Sequence, residues 1–266
     1  KNEHRHLFRI RLGIKVNHNN RDKEIFIQQQ YFRKYLKDKY ETLDKEYKYH
    51  NFGNMSYVDK LSQTNEEFYR ELATNPEHPK TSQPSPGDFR RQYQFLQSHY
   101  DSIISIHLPH KMSGTYQSAL NASRRVNDSN ITIRDGLSAS VGLGLIVMEV
   151  AKLVKAGRNY SDMKLVLSHI IESTDIFLAV KDLRYVVKGG RLPGWVKKVA
   201  DFLHIRPVLT VKPDGKMGAA GILKGTKNIP AKLGPMVLGK LDREVKYSIS
   251  IGHCNVPEDG QRLKEI

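Results

Sequence analysis

Two hydroxyl side chains and a glycine, Ser113-Gly114-Thr115, stand between a predicted strand and a predicted helix. Residues 102–108 are apolar and β-branched, which favours a buried strand, and residues 116–126 are rich in Gln, Ala, Leu and Arg, which favours a helix. The first N–H groups of a helix have no partner within it, so with the helix dipole and the hydroxyls they suit a carboxylate or phosphate. The segment is therefore a candidate anion site, although Ser and Thr are also ordinary N-caps.

A second segment with hydroxyl groups, KTSQ at residues 80–83, lies in a proline-rich loop one helix before that strand. In a parallel sheet the loops at the carboxyl ends of the strands meet at one edge, where such folds bind ligands. We therefore expect Thr81 and Ser113 to face a single anionic group. The alternative, that both segments are only a turn and a cap, stays open on these observations.

The first half of the chain alternates strands and helices, which predicts a parallel, three-layer α/β domain. Two helix starts are well specified, because Thr64 with Glu67 fits a capping box and Ser85 precedes Pro86 and Asp88. Further elements are predicted as helices at residues 138–155, 161–173, 183–187 and 196–203, and as strands at residues 131–133 and 176–180.

The second half of the chain does not continue this regular alternation of strands and helices. A strand, the turn Pro213-Asp214-Gly215 and another strand are predicted over residues 207–223, with a further strand at 247–252. A hairpin implies an antiparallel or mixed sheet. We therefore predict two α/β domains: residues 1–159 with a basic N-terminal extension, and residues 160–266 with a mixed sheet.

The composition limits the classes of protein to which the chain could belong. Cys254 is the single cysteine, which excludes an internal disulfide framework and favours a reducing, cytoplasmic setting. No apolar run is long enough to cross a bilayer, and no signal-peptide pattern opens the sequence. The formal charge of +15 could indicate nucleic acid, an anionic surface, an acidic partner or an anionic ligand. Lys and Arg are scattered without a stripe interleaved with aromatics, which argues against nucleic acid.

Other reactive side chains carry little signal. His253 and Cys254 are neighbours, so on a strand they point to opposite faces, which argues against a Cys–His nucleophile. His107 and His110 have no carboxylate or Cys partner in the sequence around them, so no metal site is predicted. Walker, Rossmann and triad motifs are absent from the sequence, and no cofactor is predicted.

Four phrases in consistent order resemble the DegV family: PKTSQPSPGDF at residues 79–89, SIHLPHKMSGTYQSA at 105–119, LRYVVKGGRL at 183–192 and IRPVLTVKPDGK at 205–216. These are bacterial fatty-acid-binding proteins that include the acyl-carrier subunits of fatty acid kinases. The resemblance implies a non-catalytic lipid carrier with a two-domain α/β fold that buries a long-chain fatty acid in an apolar tunnel.

The resemblance also implies roles for particular residues. Thr81 and Ser113 would hold the carboxylate, and Thr115 with the amides around Gly114 would complete the anion pocket. The apolar residues within 141–150 and 176–180 would line the tunnel, although as bare sequence they are simply core.

The chain departs from the family pattern at both ends. The family's opening T-D-S-type turn is replaced by IFIQQQYF at residues 25–32, and no late H-x-G-P-G segment follows His253. The family's Arg in V-R-G corresponds to Lys224. Arg191, Lys224 and His253 are the candidates for contact with a phosphate or a partner, and fatty acid binding is better supported than passage of an acyl phosphate. The alternatives are a substrate-presenting subunit for a fatty acid kinase and a basic regulatory or nucleic-acid-binding protein.

Overall fold

The computed structural model describes residues 49–52, 55–58, 63–127, 129–180, 182–203, 205–225 and 227–266. The features predicted within residues 1–48, including the basic extension and the segment at 25–32, lie outside these residues. The described chain forms two compact units. Unit 1 contains the described residues of 83–174 and 213–215, and unit 2 contains those of 49–82, 175–212 and 216–266.

Eight strands and nine helices are found among the described residues. The strands are β1 (Tyr49–Phe52), β2 (Met55–Val58), β3 (Lys80–Thr81), β4 (Ile103–His107), β5 (Ile131–Asp135), β6 (Leu178–Ala179), β7 (Ile205–Val211) and β8 (Met217–Lys224). The helices are α1 (Asn65–Thr74), α2 (Pro86–Gln97), α3 (Thr115–Ser123), α4 (Ser140–Lys155), α5 (Tyr160–Glu172), α6 (Leu183–Lys188), α7 (Gly194–Phe202), α8 (Ile229–Leu238) and α9 (Pro257–Lys264). None of these helices is long and apolar enough to cross a membrane.

Unit 1 has three layers around the parallel pair β4 and β5, whose register runs from Ile103 opposite Ile131 to His107 opposite Asp135. All of β4 is buried, and its side chains alternate between the two faces. Ile103 packs with the apolar side chains of α2 and α3, whereas Ile104 and Ile106 pack with those of α4 and α5. The predicted parallel, three-layer α/β arrangement is thus confirmed.

The grouping of helices differs from the predicted boundary at residue 160. Helix α5 begins at Tyr160 and belongs to unit 1, because its inward residues Met163, Leu167 and Ile171 are buried in the same cluster as α4. The units therefore divide after Thr174, and the segment that contains β1, β2 and α1 groups with unit 2. Unit 2 thus contains segments from before and after the main segment of unit 1. The order of helices and strands in a sequence does not reveal such a division.

Unit 2 contains two antiparallel sheets, with strand orders β2-β1-β3 and β6-β7-β8. The predicted hairpin is confirmed: β7 and β8 pair antiparallel, and Lys212 N donates to Lys216 O at 2.8 Å across the turn. Gly215 in that turn has φ +80°, which glycine adopts without strain. Adjacent residues Val208 and Leu209 are buried in two different clusters, so both faces of this sheet are covered.

The predicted strand at residues 247–252 is wrong: within the described residues this segment joins no sheet. Its period-2 pattern has no buried face, because Tyr247 is 43% exposed and Ile249 is 63% exposed. Alternation of apolar and small polar residues therefore does not require a strand when no neighbouring strand is available to pair.

Candidate functional site

The carboxyl end of β4 leads to helix α3 through one helical turn. Ser113 N donates to Pro109 O at 3.0 Å, which closes this turn. Ser113 Oγ accepts a hydrogen bond from Thr115 N at 3.3 Å and lies 2.8 Å from Thr115 Oγ1. Gly114 is the N-cap and has no side chain to occupy the helix end. The structure thus brings together Ser113, Gly114 and Thr115, called the SGT turn below.

The first turn of α3 leaves donors open beside these hydroxyls. In the part of the chain that the structure describes, no acceptor is found for the backbone N–H groups of Tyr116 and Gln117. Thr115 is buried and Ser113 is half-buried, which places the hydroxyls in a partly desolvated position. Open N–H groups, the positive helix end and two hydroxyls form an arrangement that can bind a carboxylate or a phosphate.

Gln83 is a member of this site that sequence reasoning missed. A Cβ atom at Gly114 would overlap the side-chain carboxamide of Gln83, so the two residues are in close contact. Gln83 is the last residue of the KTSQ phrase, and its carboxamide can donate and accept hydrogen bonds. The hydroxyls of the KTSQ and SGT segments predict that the two segments meet. In unit 1 the contact between them is made by the carboxamide of Gln83.

Thr81 lies in β3 of unit 2, opposite His50 of β1 in the register, and its side chain is exposed. Ser113 belongs to unit 1. The two hydroxyls predicted to face one anion thus come from different units, and their joint role stays a prediction.

His110 has a carboxylate partner that its sequence neighbours do not reveal. Asp135 Oδ2 accepts from His110 N at 2.8 Å and from His110 Nδ1 at 2.6 Å, while Asp135 Oδ1 accepts from Leu137 N at 2.8 Å. The partner is found because β4 and β5 are adjacent and parallel, so the residues that follow them share one edge. Among the described residues no group of three or more His, Cys, Asp or Glu side chains could hold a metal ion.

His107 belongs to a buried polar chain. Ser105 Oγ lies 2.7 Å from His107 Nε2 and 2.9 Å from the Tyr93 hydroxyl. All three side chains are buried between β4 and α2, and burial raises the pKa of the Tyr93 phenol, partly offset by its hydrogen bond with Ser105. The chain therefore satisfies polar groups within the core of unit 1.

Several of the α4 residues predicted to line a tunnel pack in the hydrophobic core of unit 1. On α4, Leu143, Ile146, Val147 and Val150 are buried and pack against β4 and α5. Val141 and Leu145 are half-buried, and Met148 is 38% exposed. These three residues follow the i, i+4, i+7 spacing of one helix face, so α4 carries a second apolar stripe outside the core cluster.

The three residues suggested for phosphate or partner contact lie on separate parts of unit 2. Arg191 is exposed, and its guanidinium donates to the carbonyl of Gly189. Lys224 is exposed at the end of β8, and its carbonyl accepts from Lys232 Nζ at 2.7 Å. His253 is half-buried next to Gly260. Among the described residues no hydrogen bond joins these three side chains, and their role in contact with a phosphate or a partner stays a prediction.

Comparisons with known proteins agree on one family. The profile of a family described as "Uncharacterised protein, DegV family" matches residues 51–266. A DegV domain-containing protein of Staphylococcus aureus strain COL is 35% identical over 213 residues, which cover 79% of this chain and 75% of that protein.

Solved structures show the same fold. A DegV family protein from Thermus thermophilus, described for its fatty acid binding, superposes with a TM-score of 0.66 at 27% identity, over 81% of this chain and 76% of that one. The fatty acid kinase B3 protein of Streptococcus pneumoniae, loaded with linoleic acid, has a TM-score of 0.64 at 21% identity, over 73% of this chain and 69% of its own. The extent of the family match and the identity to the Staphylococcus aureus relative lead to one conclusion: this chain belongs to the DegV family.

Proposed function

We propose that the chain binds a long-chain fatty acid, with the carboxylate at the SGT turn and the acyl chain along apolar side chains of unit 1. The observation that carries this proposal is the start of α3, where two hydroxyls and open backbone N–H groups converge on a helix N-terminus. The fatty acid binding of the Thermus thermophilus relative supports a fatty acid as the anion. The proposed activity is binding and sequestration, with no chemical step.

Thr81 is proposed as the second hydroxyl ligand of the carboxylate. It precedes Gln83 by two residues, and a separation of two residues spans at most about 7 Å of chain. Gln83 contacts Gly114 at the SGT turn. The support for Thr81 is its place in the KTSQ phrase, whose last residue is part of the site.

The acyl chain is proposed to lie along the second apolar stripe of α4, formed by Val141, Leu145 and Met148. This stripe starts at the second residue of α4, and α4 follows the strand beside the one that leads to the SGT turn. The carboxyl ends of β4 and β5 share one edge, so the stripe and the head-group donors begin on the same side of unit 1. Gly144 adds no side chain along this face, which leaves room for an acyl chain.

Burial of the acyl chain should dominate the affinity. Each buried methylene contributes about 0.8 kcal/mol, so a long chain outweighs a few hydrogen bonds. Each hydroxyl bound to a charged acceptor contributes about 1.5–3 kcal/mol. The hydroxyls therefore fix the orientation of the fatty acid and favour acids over neutral lipids.

Mass spectrometry of an organic extract of the purified protein tests the ligand class, and the expected result is a fatty acid at near-stoichiometric amount. Repeated recovery of none, together with no binding of added fatty acid, would contradict the proposal. The double variant Ser113→Ala/Thr81→Val tests the head-group assignment, and its affinity for fatty acid should fall at least tenfold. An unchanged affinity would place the carboxylate elsewhere.

A second candidate function is presentation of the bound acid to a kinase partner. The formal charge of +15 favours it, because a basic carrier can dock on an acidic partner. Arg191, Lys224 and His253 are proposed as contacts of the phosphate or the partner. The test is to mix the loaded protein with a fatty acid kinase catalytic subunit and ATP, and to look for acyl phosphate in the extract. Its absence with an active kinase would restrict the function to binding.

A further inference from the structure

The pair His110–Asp135 lies beside the SGT turn and has no role in the binding scheme above. His110 is the residue after Pro109 in the helical turn that Pro109 and Ser113 close, so it stands three residues before Ser113. Side chains three residues apart in a helical turn lie on the same face. The His110 ring also lies 6.2 Å, centroid to centroid, from the ring of Tyr116 in the first turn of α3. The ring contact with Tyr116 thus places the imidazole at the start of α3.

Asp135 fixes which imidazole nitrogen is available. A carboxylate only accepts hydrogen bonds, so at 2.6 Å the Nδ1 atom of His110 carries the hydrogen and donates it to Asp135 Oδ2. Asp135 is itself held by the backbone N–H groups of His110 and Leu137. The other ring nitrogen, Nε2, is not used by Asp135, and the His110 side chain is 43% exposed.

The His110–Asp135 pair also affects the charge at this edge of the sheet. Asp135 puts a negative charge next to a turn that is suited to an anion, and like charges there would weaken binding. A histidine can donate from both ring nitrogens in its cationic form, and a cation next to Asp135 offsets that negative charge. The Asp135 side chain is only 16% exposed, so solvent screens its charge incompletely.

We propose that His110, oriented by Asp135, is a further head-group ligand that donates Nε2–H to the carboxylate bound at the SGT turn. This inference rests on the proposed fatty acid binding and deepens it. It assigns selectivity for an acid over a neutral head group to His110 as well as to the hydroxyls. Asp135 acts through His110 as a positioning residue and does not contact the ligand.

The test compares the affinities for palmitic acid and for cetyl alcohol, which have the same chain and differ in the head group. His110→Asn is the informative variant, because an Asn amide can still donate to Asp135 near the former Nδ1 position but has no atom at Nε2. We expect its affinity for palmitic acid to fall about tenfold, with the affinity for cetyl alcohol unchanged. The alcohol also reports on folding, since a disrupted protein would bind neither lipid.

A second variant tests the positioning role. Asp135→Asn keeps an acceptor oxygen for the imidazole but removes the charge, and we expect a smaller loss of palmitic acid affinity that is absent in the His110→Asn background. If His110 served only to hold Asp135, the acid-to-alcohol ratio of His110→Asn would equal that of the wild type, and this would overturn the inference.

The outcomes separate this inference from the proposed function. Failure of the wild type to bind palmitic acid would overturn both. Binding that is weakened by Ser113→Ala/Thr81→Val but has the same acid-to-alcohol ratio in His110→Asn would overturn only the role of His110.

Discussion

The carboxamide of Gln83 occupies the place that a Cβ atom on Gly114 would take, so a side chain at residue 114 requires Gln83 to move. The contact joins the KTSQ loop to the N-cap of α3, where the helix has no side-chain cap of its own. The φ of −70° at Gly114 is one that any residue adopts, and Gln83 is exposed, so its flexible side chain can give way to a methyl group at low cost. The glycine therefore matters for where the Gln83 carboxamide lies at the site.

The first prediction follows from this contact. Gly114→Ala should displace the exposed Gln83 carboxamide, change the free energy of unfolding by no more than about 0.5 kcal/mol and weaken fatty acid binding. Urea unfolding and a lipid-binding titration measure the two effects. Gly87→Ala is the matched control, because the nearest atom to its added Cβ is Ser85 Oγ at 3.4 Å, an ordinary contact.

A double variant tests the cause. Combining Gly114→Ala with Gln83→Ala removes the group that the new methyl meets, so the loss of fatty acid affinity should be smaller than the sum of the two single losses. Additive losses would show that the clash is not with Gln83.

The second prediction concerns the acyl chain. Leu145→Gln places a polar amide in the middle of the second apolar stripe of α4 and should weaken fatty acid binding severalfold, because part of the acyl chain would contact a polar group. The same change at Leu165 of α5, which is 78% exposed, should leave the affinity unchanged. Equal affinities for the two variants would show that the acyl chain lies away from this stripe.

Local sequence signals predicted the parts of the site that depend on local physics. The capping box at Ser85 and Asp88 is present with hydrogen bonds of 2.8 and 3.2 Å, and α3 begins at Thr115, one residue before the prediction. Both features involve residues three or fewer positions apart, where residue type and spacing decide the geometry. The same holds for the turn that closes the β7–β8 hairpin.

The parts that were missed depend on contacts between distant residues. Asp135 follows His110 by 25 residues, and one helix and one strand, α2 and β4, separate Gln83 from Gly114. The first pair forms because β4 and β5 lie side by side in parallel, and a single sequence does not show which strands are adjacent. Which residues of α4 face the core could not be predicted either, since apolar residues that face the core and those that do not look alike in composition.

The third prediction tests the buried polar chain of unit 1. Ser105→Ala removes the oxygen that Tyr93 and His107 share, so a buried phenol loses its hydrogen-bond partner, and the free energy of unfolding should fall by about 1–3 kcal/mol. Tyr93→Phe/Ser105→Ala should cost less than the sum of the single variants, because the double variant leaves no orphaned hydroxyl on either residue. Ser129→Ala, at an exposed serine, is the control and should have little effect.

The last prediction concerns pH and the capping box of α1. Thr64 N donates to the Glu67 carboxylate at 2.7 Å. Hydrogen bonds with the backbone and the side chain of Thr64 hold the pKa of Glu67 below its ordinary value of 4.5. A lowered pKa in the folded state means that the unfolded chain binds the proton more readily. The contribution of Glu67 to stability is therefore fully present above the unfolded-state pKa and is lost as the pH falls through the folded-state pKa.

Glu67→Gln should thus lower the free energy of unfolding at neutral pH, and the difference from the wild type should shrink as the pH falls below 4.5, the ordinary Glu pKa. Thr64→Ala, which removes the N-cap oxygen itself, should cost about 1 kcal/mol at neutral pH. Glu66→Gln is the matched control, since Glu66 shares the first turn and the exposure of Glu67 but is not the capping-box residue. A Glu67→Gln effect that stays constant between neutral and acid pH would show that the carboxylate charge has no part in the cap.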